Sequence, residues 1–175
     1  MAIKVSSQDR TFDEIDKIAE SNAKKLLSDK KTEQVLIYST GCIGCDIIAN
    51  CTCEFGDKET YLIWTESEKT FIQSIDCCYI SLKKEVNLDE VLNFLNLNSK
   101  NIFDSKFQSD YMTVHHSFDK ISLITNKRTK TVELFNYYFD SENKYSGENN
   151  KQKALRFKNL LIKRIKQIKK DNKTD

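Results

Sequence analysis

The sequence predicts an α+β domain, in which an antiparallel sheet of about five or six strands is covered by an N-terminal and a C-terminal helix. Helical apolar spacing occurs at both ends of the chain, and two strand-turn-strand patterns lie between them. A length of 175 residues suits one domain and allows a sizeable core without disulfides or metal. We expect a single domain over 1–175, with an exposed loop at 141–150 and a frayed tail at 171–175.

The first helix is expected over residues 12–29. Thr11 and Glu14 have the spacing of a capping box, in which each side chain accepts a hydrogen bond from the backbone N–H of the other residue. Apolar residues then recur every three or four positions as far as Leu26, and lysines follow in the last turn, where they suit the helix dipole.

Two strand patterns follow the first helix. The segment "EQVLIYST" is rich in residues that favour strands, and we expect this strand to end at Gly41. Residues 61–65 and 70–82 then form the arms of a hairpin around a polar turn at 66–69.

The side-chain alternation of this hairpin predicts its faces. Trp64 on the first arm and Phe71 on the second are expected in or beside the main core, because large aromatic side chains supply much of the packing in a sheet. Neighbouring residues of a strand point to opposite faces, so Cys77 and Cys78 are expected to diverge.

The second half of the chain repeats the pattern. Asn87 is a helix-start signal for a short helix, and residues 98–111 are polar and irregular. Residues 120–125 and 130–139 are expected to form a second hairpin.

The last helix, over 151–170, is amphipathic and basic. Residues 151–175 carry a net charge of +8, whereas the rest of the chain carries −6. We expect the apolar stripe to dock on the same face of the sheet as the first helix, leaving the lysines in water. The stripe contains Ala154, Phe157, Leu161, Ile165 and Ile168.

The cysteines are the most informative feature of the chain. Four lie within twelve positions and two more are adjacent: Cys42, Cys45, Cys51 and Cys53, then Cys77 and Cys78. The Cys-Ile-Gly-Cys spacing resembles a zinc knuckle, so the first four are candidate metal ligands and zinc is the candidate cofactor. The Cys-Thr-Cys pair is a less usual zinc spacing.

Three other interpretations of the cysteines stay open. The first is a redox-active cysteine pair that follows a strand, as in a thioredoxin-like active site. Two features argue against it: no long helix follows the pair, and the chain contains no proline, whereas that fold places a cis-proline beside its thiols. Disulfides would suit an extracytoplasmic domain. Reduced, buried cysteine is the plainest alternative, and Cys77 and Cys78 within a strand pattern fit it best.

The two histidines suggest no clear active site. His115 and His116 would diverge on a strand, and one surface and one core histidine is the simplest interpretation, although Asp110 or Asp119 could pair with either. The sequence lacks a phosphate-binding loop, a dinucleotide fingerprint, a nucleophile elbow and a zinc-protease motif. It therefore nominates no catalytic residue.

Function is inferred from these features together. We expect a non-catalytic binding or inhibitor protein, of the immunity-protein type, that acts through surface complementarity to a protein partner. The alternative is a zinc-stabilised module that contacts nucleic acid through the basic C-terminal helix, with thiol redox chemistry third. No apolar run could span a membrane, and we expect a cytoplasmic protein, or an extracytoplasmic one if a signal sequence was removed. Oligomeric state is left open.

Overall fold

The chain is built around a six-stranded antiparallel sheet. A computed structural model describes residues 11–43 and 58–171. The helices are α1 (Phe12–Ser28), α2 (Asp89–Phe103), α3 (Ser146–Asn149) and α4 (Lys153–Asp171), with a 3₁₀ turn at Asn136–Tyr138. The strands are β1 (Gln34–Ile43), β2 (Thr60–Glu66), β3 (Lys69–Ile75), β4 (Lys84–Glu85), β5 (His116–Thr125) and β6 (Thr129–Phe135). Their order is β4-β3-β2-β1-β5-β6. The predicted α+β fold class is confirmed.

The capping box of α1 forms as its sequence predicts. The Thr11 backbone N–H donates to the Glu14 carboxylate at 2.7 Å, and the Glu14 N–H donates to the Thr11 hydroxyl at 3.2 Å. Helix α1 then buries Ile15, Ala19 and Ala23 against the sheet. The cap satisfies backbone donors that would otherwise lack partners in the first turn.

Strand β1 runs past Gly41, where its end was expected. Gly41 is paired with Phe118 of β5, and a Cβ atom at Gly41 would lie only 2.5 Å from Cζ of Phe118. The glycine therefore makes room for an aromatic ring across the strand pair instead of ending the strand. The pairing continues to Ile43, opposite His116.

The two terminal helices lie on opposite faces of the sheet, which corrects the expectation that they share one. Val35 and Ile37 of β1 pack in the cluster formed by α1, whereas Leu36 and Tyr38 pack in the cluster formed by α2 and α4. The central strands are apolar on both faces, so both faces need a cover. Helix α1 supplies one cover, and α2 with α4 supplies the other.

The first hairpin forms around a two-residue turn. Ser67 and Glu68 have positive φ angles of 51° and 66°, which is the backbone shape that matches the twist of the flanking strands. Trp64 and Phe71 are paired in register, and their ring centroids are 5.8 Å apart. Trp64 is 3% exposed and Phe71 packs against the same cluster, as predicted.

The second arm of this hairpin is shorter than expected. Strand β3 ends at Ile75, because the Asp76 carboxylate accepts the backbone N–H groups of Cys78 at 2.8 Å and Tyr79 at 2.6 Å and bends the chain. The turn leaves both Cys77 and Cys78 buried in the cluster beneath α1. The prediction that they diverge was wrong, because strand alternation does not apply in a turn.

Helix α2 is longer than the short helix predicted. Asn87 does act at its start, accepting the Asp89 N–H at 3.2 Å. The helix continues to Phe103, through part of the segment expected to be irregular, because Leu95 and Ile102 are buried in the same core as α4. Tertiary burial outweighs the polar composition of this segment.

The segment 141–150 contains two buried side chains, although its composition predicts an exposed loop. Asn143 and Asn149 are each 1% exposed. Asn149 donates to the carbonyls of Gln108 and Tyr138, both at 2.7 Å, and Asn143 donates to the Gln108 carbonyl at 3.0 Å. Buried amides that satisfy backbone carbonyls hold this segment in place. Residues 172–175, most of the expected frayed tail, lie outside the described residues.

Helix α4 docks through the predicted stripe and crosses the strands. Four of the stripe residues are buried and the last is half-buried: Ala154, Phe157, Leu161, Ile165 and Ile168. Near its start, Lys158 forms an ion pair at 3.1 Å with Asp119 of β5, and near its end Lys169 contacts Glu59, just before β2. The helix therefore passes from above β5 to above β2, and these two lysines meet acids of the sheet layer and not the acids of α1 that were expected.

We expect the apolar stripe of α4, and not its solvent-exposed lysines, to supply most of the energy that holds the helix on the sheet. Leu161→Ala should lower the free energy of unfolding by about 2–5 kcal/mol, because it empties a fully buried site. Lys163→Gln on the exposed side should change it by no more than about 0.5 kcal/mol. Urea unfolding of the two variants measures both values. The reverse ranking would show that the stripe does not dock the helix.

Candidate functional site

The described cysteines lie at one end of the sheet. Ser39 of β1 is paired with Thr60 of β2, and Thr60 is paired with Ile75 of β3. Cys42 follows Ser39 in the part of β1 that runs past its pairing with β2 and stays paired with β5, and Cys77 follows the last residue of β3, so both lie toward the same end of the sheet. The strand register thus brings together cysteines that are far apart in sequence.

Cys42, Cys77 and Cys78 are disulfide-bonded, and none of the described cysteines is free. At these three positions the observed state is the disulfide, among the interpretations that the sequence leaves open. A sulfur in a disulfide has no thiolate to offer a metal.

The disulfide at Cys42 removes that residue from the predicted four-cysteine zinc site, whereas the roles of the other three candidate ligands stay predictions. Cys45, Cys51 and Cys53 lie outside the described residues, and of the four candidate ligands the structure describes Cys42 alone. Within residues 11–43 and 58–171, no group of three or more His, Cys, Asp or Glu side chains is placed to hold a metal ion.

The histidines behave as one surface and one core residue, as predicted. His115 is exposed, whereas His116 is 6% exposed, with Nδ1 2.8 Å from the Thr113 carbonyl oxygen. The rings of Phe135 and Tyr137 lie edge-on to His116, with centroids 5.1 and 5.0 Å away. This aromatic surrounding is typical of a structural histidine.

Asp119 contacts a tyrosine and a lysine. It accepts a hydrogen bond from the Tyr38 hydroxyl at 2.6 Å and pairs with Lys158 of α4 at 3.1 Å. Burial, and then the hydrogen bond to Asp119, raise the pKa of Tyr38 well above its ordinary value of 10. This phenol stays protonated and acts as a donor, not as a base.

A second contact of the same kind lies next to the first. Tyr61 is paired with Tyr38 in register, its ring stacked at a centroid distance of 6.3 Å, and its hydroxyl donates to Glu59 at 2.7 Å. Lys169 of α4 reaches the same carboxylate. Burial, followed by the Glu59 hydrogen bond, also raises the pKa of Tyr61. Each end of α4 is thus tied to the sheet by a tyrosine, a carboxylate and a lysine.

A cleft of about 470 Å³ opens beside Asp119. Among its lining residues are two lysines: Lys58, which is 4% exposed and pairs with Asp16 of α1 at 3.0 Å, and Lys158, which pairs with Asp119. Asp119 lines the cleft beside Lys158, and Lys58 is almost fully buried against Asp16, so neither lysine is exposed as the groove lysines described below are. These two ion pairs link α1 and α4 to the sheet layer.

A second depression has a different character, and we call it the lysine-rimmed groove. It measures about 330 Å³ and lies between β3, residues 81–84 and the C-terminal half of α4. Its apolar lining includes Ile72, Ile165 and Ile168. Its charged lining consists of Lys83, Lys84 and Lys169.

One side of the groove continues into a short stretch, residues 79–82, that we call the apolar arm. Tyr79 is 56% exposed, Ile80 40% and Leu82 62%. The arm is nevertheless ordered by β-type contacts, because Ile80 forms a bridge with Ile75 and the Ser81 N–H donates to the Ser74 carbonyl at 2.9 Å.

Sequence reasoning missed this surface. The sequence pattern predicts residues 79–82 as the end of the second hairpin arm, 70–82, and gives them no separate role. The dense lysines that follow, Lys83 and Lys84, were the signal available for an exposed position.

Comparison with known proteins adds no relative. No family model matches the chain, and no curated protein or solved structure is detectably similar to it. In the part of the chain that the structure describes, no helix has the length and apolar character needed to cross a membrane.

The two tyrosines predict a loss of stability at alkaline pH. Because the folded state raises both pKa values above the unfolded value of 10, their contribution is complete below about pH 10 and is lost as the pH rises beyond it. Above about pH 10, the free energy of unfolding should therefore fall as the pH rises. Tyr38→Phe and Tyr61→Phe should each make that fall less steep, by up to about 1.4 kcal/mol per pH unit. Urea unfolding at a series of pH values measures it. An equal effect of Tyr79→Phe, at an exposed position, would contradict this account.

The cysteines predict a second result. Alkylation of the denatured, unreduced protein should leave Cys42, Cys77 and Cys78 unmodified, and alkylation after reduction should label all three. Peptide mapping by mass spectrometry measures the labelling. Reduction should also lower the free energy of unfolding by about 2–5 kcal/mol for each native disulfide that is lost. Labelling before reduction at these three positions would show that they are thiols.

Proposed function

We propose that this protein is a non-catalytic binding protein that acts through surface complementarity to a protein partner. The observation that carries the proposal is the apolar arm, where three large apolar side chains are exposed within four residues: Tyr79, Ile80 and Leu82. Clustered apolar side chains on a surface mark sites of interaction with other proteins. Tyrosine is also enriched at such interfaces because it is large and has few rotatable bonds.

The arm is held in shape before any partner arrives. The Asp76 turn precedes it, disulfide-bonded Cys77 and Cys78 are buried at its start, and strand pairing to Ser74 holds its middle. A segment that is already ordered loses little conformational entropy on binding, so more of the contact energy appears as affinity. This supports a role in recognition for the arm.

The second candidate is binding of nucleic acid through α4, which the exposure of Lys163 and Lys166 favours. Three other basic side chains of α4 already pair with carboxylates of the same chain: Lys158, Arg164 and Lys169. These pairs reduce the charge available to phosphates, and for this reason we place the protein partner first.

The experiment compares matched variants of the arm. The tagged full chain is used to isolate bound proteins, and each candidate is purified and its complex reconstituted. Leu82→Ser should weaken the reconstituted complex by about tenfold, or about 1.4 kcal/mol. The control is Leu97→Ser on α2, where an equally apolar side chain is 85% exposed away from the arm, and it should bind as the parent does.

Two outcomes would overturn the proposal. One is that no purified protein reconstitutes a complex, and the other is that Leu97→Ser weakens the complex as much as Leu82→Ser. If instead duplex DNA binds with a steep salt dependence, and Lys163→Gln with Lys166→Gln abolishes that binding, the nucleic-acid function replaces it.

A further inference from the structure

We infer that the lysine-rimmed groove receives an extended segment of the partner protein that carries an apolar side chain next to carboxylates. This inference rests on the proposed function, and it adds the site and the chemistry of the partner. The groove adjoins the apolar arm, since Leu82 belongs to both. A partner seated on the arm therefore reaches the groove without a second interface.

The floor of the groove selects an apolar side chain. Ile72 and Ile165 are buried beneath it, whereas Ile168 is half-buried and Leu82 is 62% exposed at its side. Covering Leu82 and Ile168 removes apolar surface from water, which is favourable in proportion to the area covered. The volume of about 330 Å³ is at the lower end of the roughly 300–1,000 Å³ of known ligand pockets, which suits side chains of a peptide.

The rim of the groove selects negative charge. Among the described residues that line it, Lys83, Lys84 and Lys169 are charged and none is a carboxylate. Lys83 pairs with Glu66 and Lys169 with Glu59, but neither acid lines the groove.

These existing ion pairs do not prevent the lysines from accepting a partner. The side chains of Lys83 and Lys169 are 49% and 46% exposed, and ion pairs at that exposure contribute only about 0–1 kcal/mol. Each ammonium group has three N–H donors, so it can bind a second carboxylate while keeping the first.

The shape of the surface favours a linear segment. The groove meets a second depression of about 410 Å³, and the two share Lys84 and Ile168 in their linings. The second depression also contains Arg164 and two carboxylates, Glu85 and Asp171, so the part of the surface that favours an acidic segment is the groove itself. Together they form a trough between the β4 edge of the sheet and α4. Extended peptides bind in such troughs, where alternate side chains enter pockets. Nucleic acid would place its phosphates near the lysines but would leave the apolar floor without a matching group.

The test uses a defined peptide and the full chain. A synthetic peptide of about eight residues, alternating leucine and glutamate, spans about 26 Å when extended. Titrated into isotope-labelled protein, it should shift the amide signals of Ile72, residues 81–84 and residues 165–169. A peptide alternating leucine and lysine, and one alternating serine and glutamate, should each bind at least about tenfold more weakly, since each lacks one of the two features.

Variants at the rim locate the site. Lys84→Glu should weaken binding of the leucine–glutamate peptide by about tenfold. The control is Lys127→Glu, the same change at an exposed turn of the second hairpin, and it should bind the peptide with the affinity of the parent protein. Thermal unfolding confirms that both variants are folded. Equal affinity for the three peptides, equal loss at Lys127→Glu, or signal shifts centred on the cleft at Asp119 would each overturn the inference.

Failure of the inference about the lysine-rimmed groove can be distinguished from failure of the proposed function. If Leu82→Ser weakens the reconstituted complex with the partner and Lys84→Glu does not, the binding function stands and the acidic character of the bound segment is wrong. If neither variant weakens any complex, both proposals fall. If both variants weaken the same complex, and Leu97→Ser and Lys127→Glu do not, both are supported.

Discussion

The apolar character of both faces of the central strands is the constraint on which the rest of this structure depends. In β1, Val35 and Ile37 face one way and Leu36 and Tyr38 the other, and all four are buried. A sheet with two apolar faces needs cover on both, because either face left in water would lose the main favourable term in folding. Helix α1 therefore lies on one side, with α2 and α4 on the other.

The position of α4 within its layer is set by polar contacts as well as by its stripe. Asp119 and Glu59 each accept a hydrogen bond from the hydroxyl of a buried tyrosine, and each also pairs with a lysine of α4. One of these lysines lies near the start of the helix and the other near its end. These contacts fix how the helix crosses the strands, and the crossing places Ile165 and Ile168 beside β3. The lysine-rimmed groove is a consequence of that placement.

The end of the sheet that carries the described cysteines also carries the apolar arm. Cys77 and Cys78 are buried in the Asp76 turn, and the side chain of the next residue, Tyr79, is exposed to solvent. A buried, cross-linked turn followed by exposed apolar side chains is a stable base for a recognition surface. The cysteine pattern indicated correctly that this region is unusual, but the spacing alone could not separate disulfides from a metal site.

The sequence by itself determined those features that depend on local periodicity. The capping box at Thr11, the two hairpins and the stripe through Phe157 were predictable, because capping and amphipathic spacing act between residues close in the chain. Only the tertiary structure decided which face each helix covers, how far β1 runs past Gly41, and that Leu82 lines a groove with Ile168. These features depend on contacts between residues distant in sequence, and such contacts leave no periodic signal in the chain.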